Sequence, residues 1–386
     1  MIKRELEKEI LKLTKKYPVI AITGPRQSGK TTLAKALFQN YEYYNLEEID
    51  VLEYAKNDPR AFLQTGSKKK LIIDEIQKAP ELLSYIQAEV DLNKKMGQFV
   101  ITGSQHFAMN EKITQSLAGR VANFTLLPFS YKEISKHHTK TNNLQFLIKG
   151  FYPGIYDRKI ASKDFYKQYI FSYIERDVRQ VVNVGDLTNF QRFLLLLANR
   201  VGQQVNLTSL GNDVGVSHKT ISSWISILEQ SFILYNLRPY YENFGKRVTK
   251  SPKIFFYDTG LLCYLLGINS LKTFKFHHLA GNIFENFIIS EIQKNLNNLN
   301  LPTKLYYWNE NNKNEVDLII DKGQKKDAIE IKIAQTFTSS FLTGITRFTE
   351  VAKKYNITGK VIFTGKSTKT KNIEILNWEE YLKPGK

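Results

Sequence analysis

The sequence predicts an α/β protein of several domains, on three observations. The first is VIAITGPRQSGKTTLAKALF (19–38), an apolar strand, a glycine-rich loop and a helix in direct succession. The second is the pair of short apolar runs LIID (71–74) and FVITG (99–103), each ending in polar residues, as strands of a buried parallel sheet do. The third is a return to strand-like alternation in EVDLII (315–320) and AIEIK (328–332), after a long stretch of helical periodicity.

A chain of 386 residues is long enough for two or three domains, and 42% hydrophobic with 12% aromatic residues predicts packed cores rather than disorder. Lys plus Arg number 55 against 37 Asp plus Glu, a net charge of +18. That excess favours a polyanionic partner, nucleic acid before an anionic membrane surface. The plain alternative is a lysine-rich composition serving solubility. The single cysteine, Cys263, excludes an internal disulfide and a cysteine-based zinc site. The adjacent pairs His137-His138 and His277-His278 read as surface residues, because sequence neighbours share a metal poorly. No apolar run approaches the roughly 18 residues of a membrane span. MIKRELEKEILK at the N-terminus reads as a charged amphipathic helix and not a signal peptide, so a soluble, cytoplasmic protein with no membrane partner is expected.

Gly24-Pro25-Arg26-Gln27-Ser28-Gly29-Lys30-Thr31 fits G-x-x-x-x-G-K-[ST] with a strand before and a helix after, the context of a phosphate loop. Backbone N–H groups of such a loop wrap a phosphate at a helix N-terminus. Lys30 would reach the β- and γ-phosphates of ATP and the Thr31 hydroxyl would ligate Mg²⁺. Pro25, Gln27, Ser28 and Thr32 complete the expected nucleotide-contacting set, and Arg26 is a candidate for phosphate or inter-domain contact. LIID ends in Asp74, expected to hold the Mg²⁺ shell, and Glu75 follows as the base that polarises the attacking water. Two solvated acids opening a helix are the bland alternative. Ser104, ending the third strand, would sense the γ-phosphate or orient the water. Arg120, at the entry to VANFTLL, would stabilise transition-state charge in cis or from a neighbouring subunit, or else be a surface arginine.

GPRQSGKTT, LIIDEIQ, ITGS and SLAGR, in this order and spacing, resemble the AAA+-type ATPases of a large archaeal and bacterial family in which a C-terminal domain of unknown function follows the ATPase module. The resemblance extends through YIERDVRQ (173–180) and the C-terminal half. It implies an enzyme that binds and hydrolyses Mg-ATP, as a switch or motor, and supplies no substrate.

The stretch SKDFYKQYIFSYIERDVRQVV (162–182) spaces Phe165, Tyr169, Tyr173 and Val181 helically. Glu175, Arg176, Asp177 and Arg179 on it read as exposed ion pairs, or as an arginine reaching back to the nucleotide. In LTSLGNDVGVSHKTISSWISILEQ (207–230), Gly215 makes a turn and Ser217 caps a second helix whose Ile221, Trp224, Ile225 and Leu228 face inward. With ILYNLRPYY (233–241) as a wing strand, this is a winged helix-turn-helix. Its outer face, His218, Lys219, Ser222, Ser223 and Ser226, suits phosphate contact more than base reading. A structural adaptor role is the equal alternative.

Beyond Pro252 come a strand-then-helix pair, a helix carrying Glu285 (LAGNIFENFIISEIQKNL), the strand KLYYW, then EVDLII and AIEIK, a helix over about 337–354 and the strand KVIFTG. Glu285, Asp317, Glu330 and Lys332 in this order resemble the PD-(D/E)xK nuclease layout. Glu285, Asp317 and Glu330 would hold Mg²⁺ or Mn²⁺, Lys332 would orient water, and Glu315 is either a fourth ligand or a strand-start charge. Alternating charges on a solvent face are the bland alternative.

The expected layout is therefore an AAA+-type ATPase core at 1–135, a helical connector or lid at 136–187, a winged helix-turn-helix at 188–250 and a nuclease-like domain at 251–386. The expected function is ATP hydrolysis coupled to binding, and metal-dependent cleavage, of nucleic acid, DNA first. The alternative is an ATP-driven switch whose inactive nuclease-like scaffold binds proteins, or DNA without cutting. The oligomeric state stays open.

Overall fold

The phosphate-loop strand β1 (Val19–Thr23) lies inside a five-stranded, wholly parallel sheet with β2 (Glu42–Asn45), β3 (Leu71–Asp74), β4 (Phe99–Gly103) and β5 (Val121–Thr125), in the order β2-β3-β4-β1-β5. The computed structural model describes residues 2–65, 70–104, 116–137, 143–174, 187–241, 251–302, 304–310, 313–370 and 373–383. Alternate side chains along each strand feed two apolar layers. Val19, Ala21, Ile73 and Ile101 pack with the helix Leu82–Asn93, and Ile20, Ile22, Ile72 and Val100 pack with the helices Glu7–Thr14 and Lys30–Leu37. Burial on both faces explains why these strands read as continuous apolar runs. The amphipathic N-terminal helix is present, with Leu6 and Ile10 buried. The even register Val19↔Phe99 and Val19↔Val121 brings the ends Thr23, Gly103 and Thr125 to one edge of the sheet, where the phosphate loop begins.

A second, mixed sheet has eight strands in the order β12-β13-β11-β10-β9-β8-β6-β7. They are β6 (Leu234–Pro239), β7 (Lys253–Phe256), β8 (Leu305–Glu310), β9 (Asn314–Lys322), β10 (Lys325–Lys332), β11 (Asn356–Phe363), β12 (Thr368–Lys369) and β13 (Ile373–Asn377). Ile329 and Ile331 of β10 face the long helix Ala280–Asn298, and Ala328 faces the helix Thr343–Val351. The helix expected over 337–354 is shorter, a 3-10 turn Ser339–Leu342 followed by Thr343–Val351.

In chain order between the sheets come the helix Leu187–Ala198 and then, where a helix-turn-helix was expected, the helices Leu207–Val214 and His218–Gln230 joined by a short turn. Gly215 takes the left-handed φ of 89° at the turn, and the Ser217 hydroxyl accepts the Thr220 N–H at 3.1 Å. His218, Lys219 and Ser222 are exposed, and Ser223 and Ser226 are half-buried. One correction concerns the wing strand. β6 pairs antiparallel with β7 and, through Arg238↔Tyr306 and Pro239↔Tyr307, in parallel with β8. The boundary drawn at 250 therefore falls inside a hairpin that belongs to the C-terminal sheet. One apolar core runs from Phe129 through Trp224 to Leu382, so connector, helix-turn-helix and C-terminal sheet are packed as one body. Sequence periodicity reports which face is buried but not which element covers it, and it could not show this fusion. Within the connector, Ser162–Tyr169 is helical and continues as a wider turn over Ile170–Ile174; Glu175, Arg176, Asp177, Arg179 and Val181 lie outside the described residues.

Candidate functional site

The loop after β1 is shaped by two glycines. Gly24 has φ 148°, and a Cβ there would lie 2.1 Å from the carbonyl oxygen of Leu126. Gly24→Ala is expected to cost about 1–3 kcal/mol of stability and to weaken ATP binding. A fluorescent-nucleotide titration checks this, and unchanged affinity would refute the tight approach. Gly29, at φ 93°, turns the chain into the helix Lys30–Leu37. The buried Lys30 ammonium donates to Gly24 O at 3.1 Å and Pro25 O at 2.9 Å. Burial lowers its pKa, Glu75 and Asp74 oppose that shift, and Arg26 adds to it. Arg4 braces the loop from below: Nη1 donates to Ser28 O at 3.0 Å, Nη2 to Leu127 O at 2.7 Å, and Nε to Glu133 at 3.1 Å.

Asp74 ends β3 almost fully buried, with its carboxylate held by three hydroxyls: Thr31 at 2.7 Å, Tyr43 at 2.8 Å and, closer still, Thr102. Thr31 and Asp74 are thus paired as an Mg²⁺-binding couple requires. Tyr43 and Thr102 come from the strands on either side of β3, and the sequence reading missed both roles. Glu75 has φ 56°, a left-handed conformation costly for a side chain with a Cβ. Its carboxylate meets Ser104 Oγ at 3.2 Å and the Gln77 amide, which also reaches Ser104 at 3.2 Å. Ser104 and Glu75 therefore adjoin as expected, with Gln77 as an unforeseen third member.

A cavity of about 440 Å³ opens beside the loop, lined by Arg26, Gln27, Lys30, Thr31, Thr32 and Glu75 from the ATPase side. Pro153, Gly154, Asp157 and Arg158 of the connector close its other wall. Arg158 donates to the Gln27 side chain at 3.4 Å, and Arg26 lies 4.0 Å from Glu47. The residues fit Mg-ATP: a glycine cradle, an ammonium, a hydroxyl–carboxylate couple, and a buried Ser28 hydroxyl without a hydrogen-bond partner among the described residues. ATP would supply the γ-phosphoryl group, and Glu75 would hold the water aimed at it.

Arg120 is a correction. It precedes β5, at the sheet edge opposite the phosphate loop, with its carbonyl accepting the Val19 N–H at 3.2 Å. Its guanidinium forms a two-pronged pair with Asp91, at 2.6 and 2.9 Å. Parallel strands carry the loop and Arg120 to opposite ends, which rules out a cis role.

In the second sheet, Glu285, Asp317, Glu330 and Lys332 are brought together as expected, but not around one point. Strands β9 and β10 pair only as far as Leu318↔Ile329, and the Asp317 carboxylate then accepts the Ile331 N–H at 2.8 Å. Lys332 lies 3.5 Å from Asp317 and 2.5 Å from Glu330. Lys253, from β7, sits 3.4 Å from Glu285 and contacts Glu315. Burial raises the pKa of Glu285, with Lys253 opposing and Asp317 reinforcing. Burial and then Asp317 raise that of Glu330, against Lys332. For Lys332, Asp317 and Glu330 together outweigh burial, so the ammonium is favoured. The oxygen donors suit a hard divalent cation in kind. Yet among the described residues no group of three His, Cys, Asp or Glu is placed to hold a metal ion. The three carboxylates expected around a metal stand in a carboxylate–lysine cluster. Lys253 was invisible in the sequence because it lies far upstream of the acids.

Residues 16–135 match the family described as AAA domain; residues 140–272 and 280–381 match two families described as domains of unknown function, DUF8612 and DUF4143. An uncharacterized protein of Mycobacterium tuberculosis is 26% identical over 335 residues, covering 86% of this chain and 74% of its own length. One of Haemophilus influenzae is 25% identical over 278 residues, covering 64% of this chain and 68% of its own. Among solved structures, a Walker-type ATPase of Pyrococcus abyssi aligns with 69% of this chain and 96% of its own, at 13% identity and a TM-score of 0.46. Residues 16–135 are thus an AAA-type P-loop ATPase-like domain, in a chain where no helix among the described residues is long and apolar enough to cross a membrane.

Proposed function

We propose that this protein is an ATP-driven switch: Mg-ATP binding and hydrolysis at the phosphate loop change how the fused connector, winged helix-turn-helix and nuclease-like sheet hold nucleic acid, DNA first. The observation that carries the reading is the shared wall of the nucleotide cavity, with Lys30 and Glu75 on one side and Pro153, Asp157 and Arg158 on the other. A ligand in that cavity touches both bodies, so its γ-phosphate can bias their relative position only through differential contact with the two. A continuous set of bonds leads onward. Arg4 joins Ser28 O to Glu133, which caps the helix Tyr131–Ser135. The Tyr131 N–H is held by the buried Glu291 at 2.5 Å, on the same helix as Glu285. The charge of +18 and the exposed His218, Lys219 and Ser222 support a phosphate-reading surface.

A second reading, metal-dependent cleavage by the cluster of Glu285, Asp317, Glu330 and Lys332, is favoured by one observation. Glu330 Oε2 is buried without a hydrogen-bond partner among the described residues. The two lysines seated among the acids favour the switch. Fluorescence anisotropy with generic single- and double-stranded DNA, in ATP-analogue, ADP and nucleotide-free states, tests the proposal. Affinity is expected to fall steeply with salt and to change by about fivefold or more between nucleotide states. Arg158→Ala should remove the nucleotide dependence while leaving DNA affinity itself in place. Equal affinity in every nucleotide state would sink the switch. Absent DNA binding with ATPase activity intact would move the partner to protein. Cutting that is lost in Asp317→Ala would establish the second reading.

A further inference from the structure

We infer that the Lys253 ammonium is the resident cation of the C-terminal acid cluster, and that Lys253 and a divalent cation exclude one another there. The inference rests on reading this sheet as nuclease-like, and it adds a residue from outside that motif. Four carboxylates, Glu285, Glu315, Asp317 and Glu330, are faced by two ammonium groups, Lys253 and Lys332. The two lysines are not equivalent. Lys332 shares a strand with Glu330, stays attached to Asp317 and Glu330 whatever the hairpin does, and is about one-third exposed. Lys253 is 5% exposed and enters from the other side, on the hairpin strand that follows the helix-turn-helix.

Its backbone is pinned twice, by pairing with Leu237 in the hairpin and by a bridge to Gln204 beside the first helix of the helix-turn-helix. Its ammonium lies 5.3 Å from the centre of the Tyr307 ring, a further cation-binding surface. Withdrawing Lys253 would leave Glu285 buried beside Glu315 and Asp317 with no counter-charge from the hairpin, a state that demands another cation. Glu330 Oε2, without a hydrogen-bond partner among the described residues and on a side chain nine-tenths buried, is an oxygen already in place to receive one. Oxygen-only donors of this number select Mg²⁺ or Mn²⁺ over softer metals. Because Lys253 and the strand acids Glu315, Asp317 and Glu330 are anchored in one sheet, the exchange needs only the Lys253 side chain to swing out of the cluster.

Mn²⁺ titration calorimetry on nucleotide-free protein tests the exchange. Wild type and Lys253→Arg are expected to bind weakly. Lys253→Met should bind at least about tenfold tighter, a change of about 1.4 kcal/mol, and adding Asp317→Asn should erase the gain. A gain absent in folded Lys253→Met, or one that survives Asp317→Asn, overturns the inference. A measurement on the wild type needs no variant to fold: mass spectrometry of surface acetylation should show Lys253 protected without Mn²⁺ and labelled in high Mn²⁺. Lys253 that stays protected while Mn²⁺ is bound at the cluster also overturns it. Nucleotide-dependent DNA binding that persists alongside either negative result rejects the exchange alone and leaves the switch standing.

Discussion

Lys30→Ala is expected to lower the rate of ATP hydrolysis by about 10²–10³-fold or more, the usual loss when a group that stabilises transition-state charge is removed. The Lys30 ammonium is almost fully buried and, among the described residues, donates to the loop carbonyls of Gly24 and Pro25. An ammonium so placed keeps few ties to water and is free to turn toward a phosphate oxygen. Burial already depresses its pKa, with Glu75 and Asp74 holding against that trend. Alanine removes the charge and leaves Asp74 and Glu75 facing the nucleotide without it, so ATP binding should weaken as well. Glu75→Gln separates the two effects. It keeps the shape beside Ser104 and Gln77, so binding should persist while hydrolysis falls by about 10²–10⁴-fold, the range for losing a general base. Phosphate release and a fluorescent-nucleotide titration on the same samples distinguish these outcomes. Hydrolysis at the wild-type rate in Lys30→Ala would mean that the loop is not the catalytic centre.

The largest stability effect is expected at Asp258. This carboxylate is 1% exposed and serves three donors from three parts of the chain. One oxygen accepts the Leu261 N–H at 2.9 Å, capping the helix Thr259–Leu265, and the Tyr166 hydroxyl at 2.6 Å. The other accepts the Phe151 N–H at 2.8 Å. Gly150 and Gly260 let the backbone close around it: a Cβ on Gly260 would lie 2.4 Å from the Tyr166 hydroxyl oxygen and 2.5 Å from Gly150. Asp258→Ala leaves the buried Phe151 N–H unpaired, shifts the Tyr166 hydroxyl onto the Lys149 carbonyl at 3.4 Å, and removes a helix cap. The orphaned N–H costs about 1–3 kcal/mol and the cap about 1, so a loss of about 2–4 kcal/mol is expected. Asp258→Asn retains part of the acceptor set and should lose less than half of that. Denaturant unfolding followed by tryptophan fluorescence measures both. A change below about 1 kcal/mol in Asp258→Ala would show that water replaces the carboxylate, which its burial forbids.

Legibility followed chain distance. Gly24 to Thr31 could be read because loop, lysine and hydroxyl are contiguous, and backbone geometry alone then forces them around one phosphate-sized space. Asp74 could be read because it ends a strand, and parallel strands of one sheet end at one edge. Tyr43 and Thr102 were not legible as its partners, because which strands flank β3 is a property of sheet order. Arg120 was misjudged in its cis role for the same reason: an arginine before a strand and a glycine after one look alike in sequence and lie at opposite ends in space. Alternation placed Glu330 and Lys332 on one face of β10, but not Lys253 beside Glu285 and Glu315, since that contact joins positions 32 and 62 residues apart.

By itself, then, the sequence determined the local chemistry: a phosphate loop, an acid pair at a strand end, a capped helix-turn-helix and alternating charges on two strands. These depend on spacing within a few residues, where the periods of helix and strand dictate which side chains share a face. The tertiary structure decided what those pieces do to one another. It put the connector's Arg158 across the nucleotide cavity, merged the helix-turn-helix with the C-terminal sheet through β6, and seated Lys253 among the acids. Each of those is a packing choice among distant segments. It is made by which apolar faces bury together, and no stretch of sequence carries that information alone.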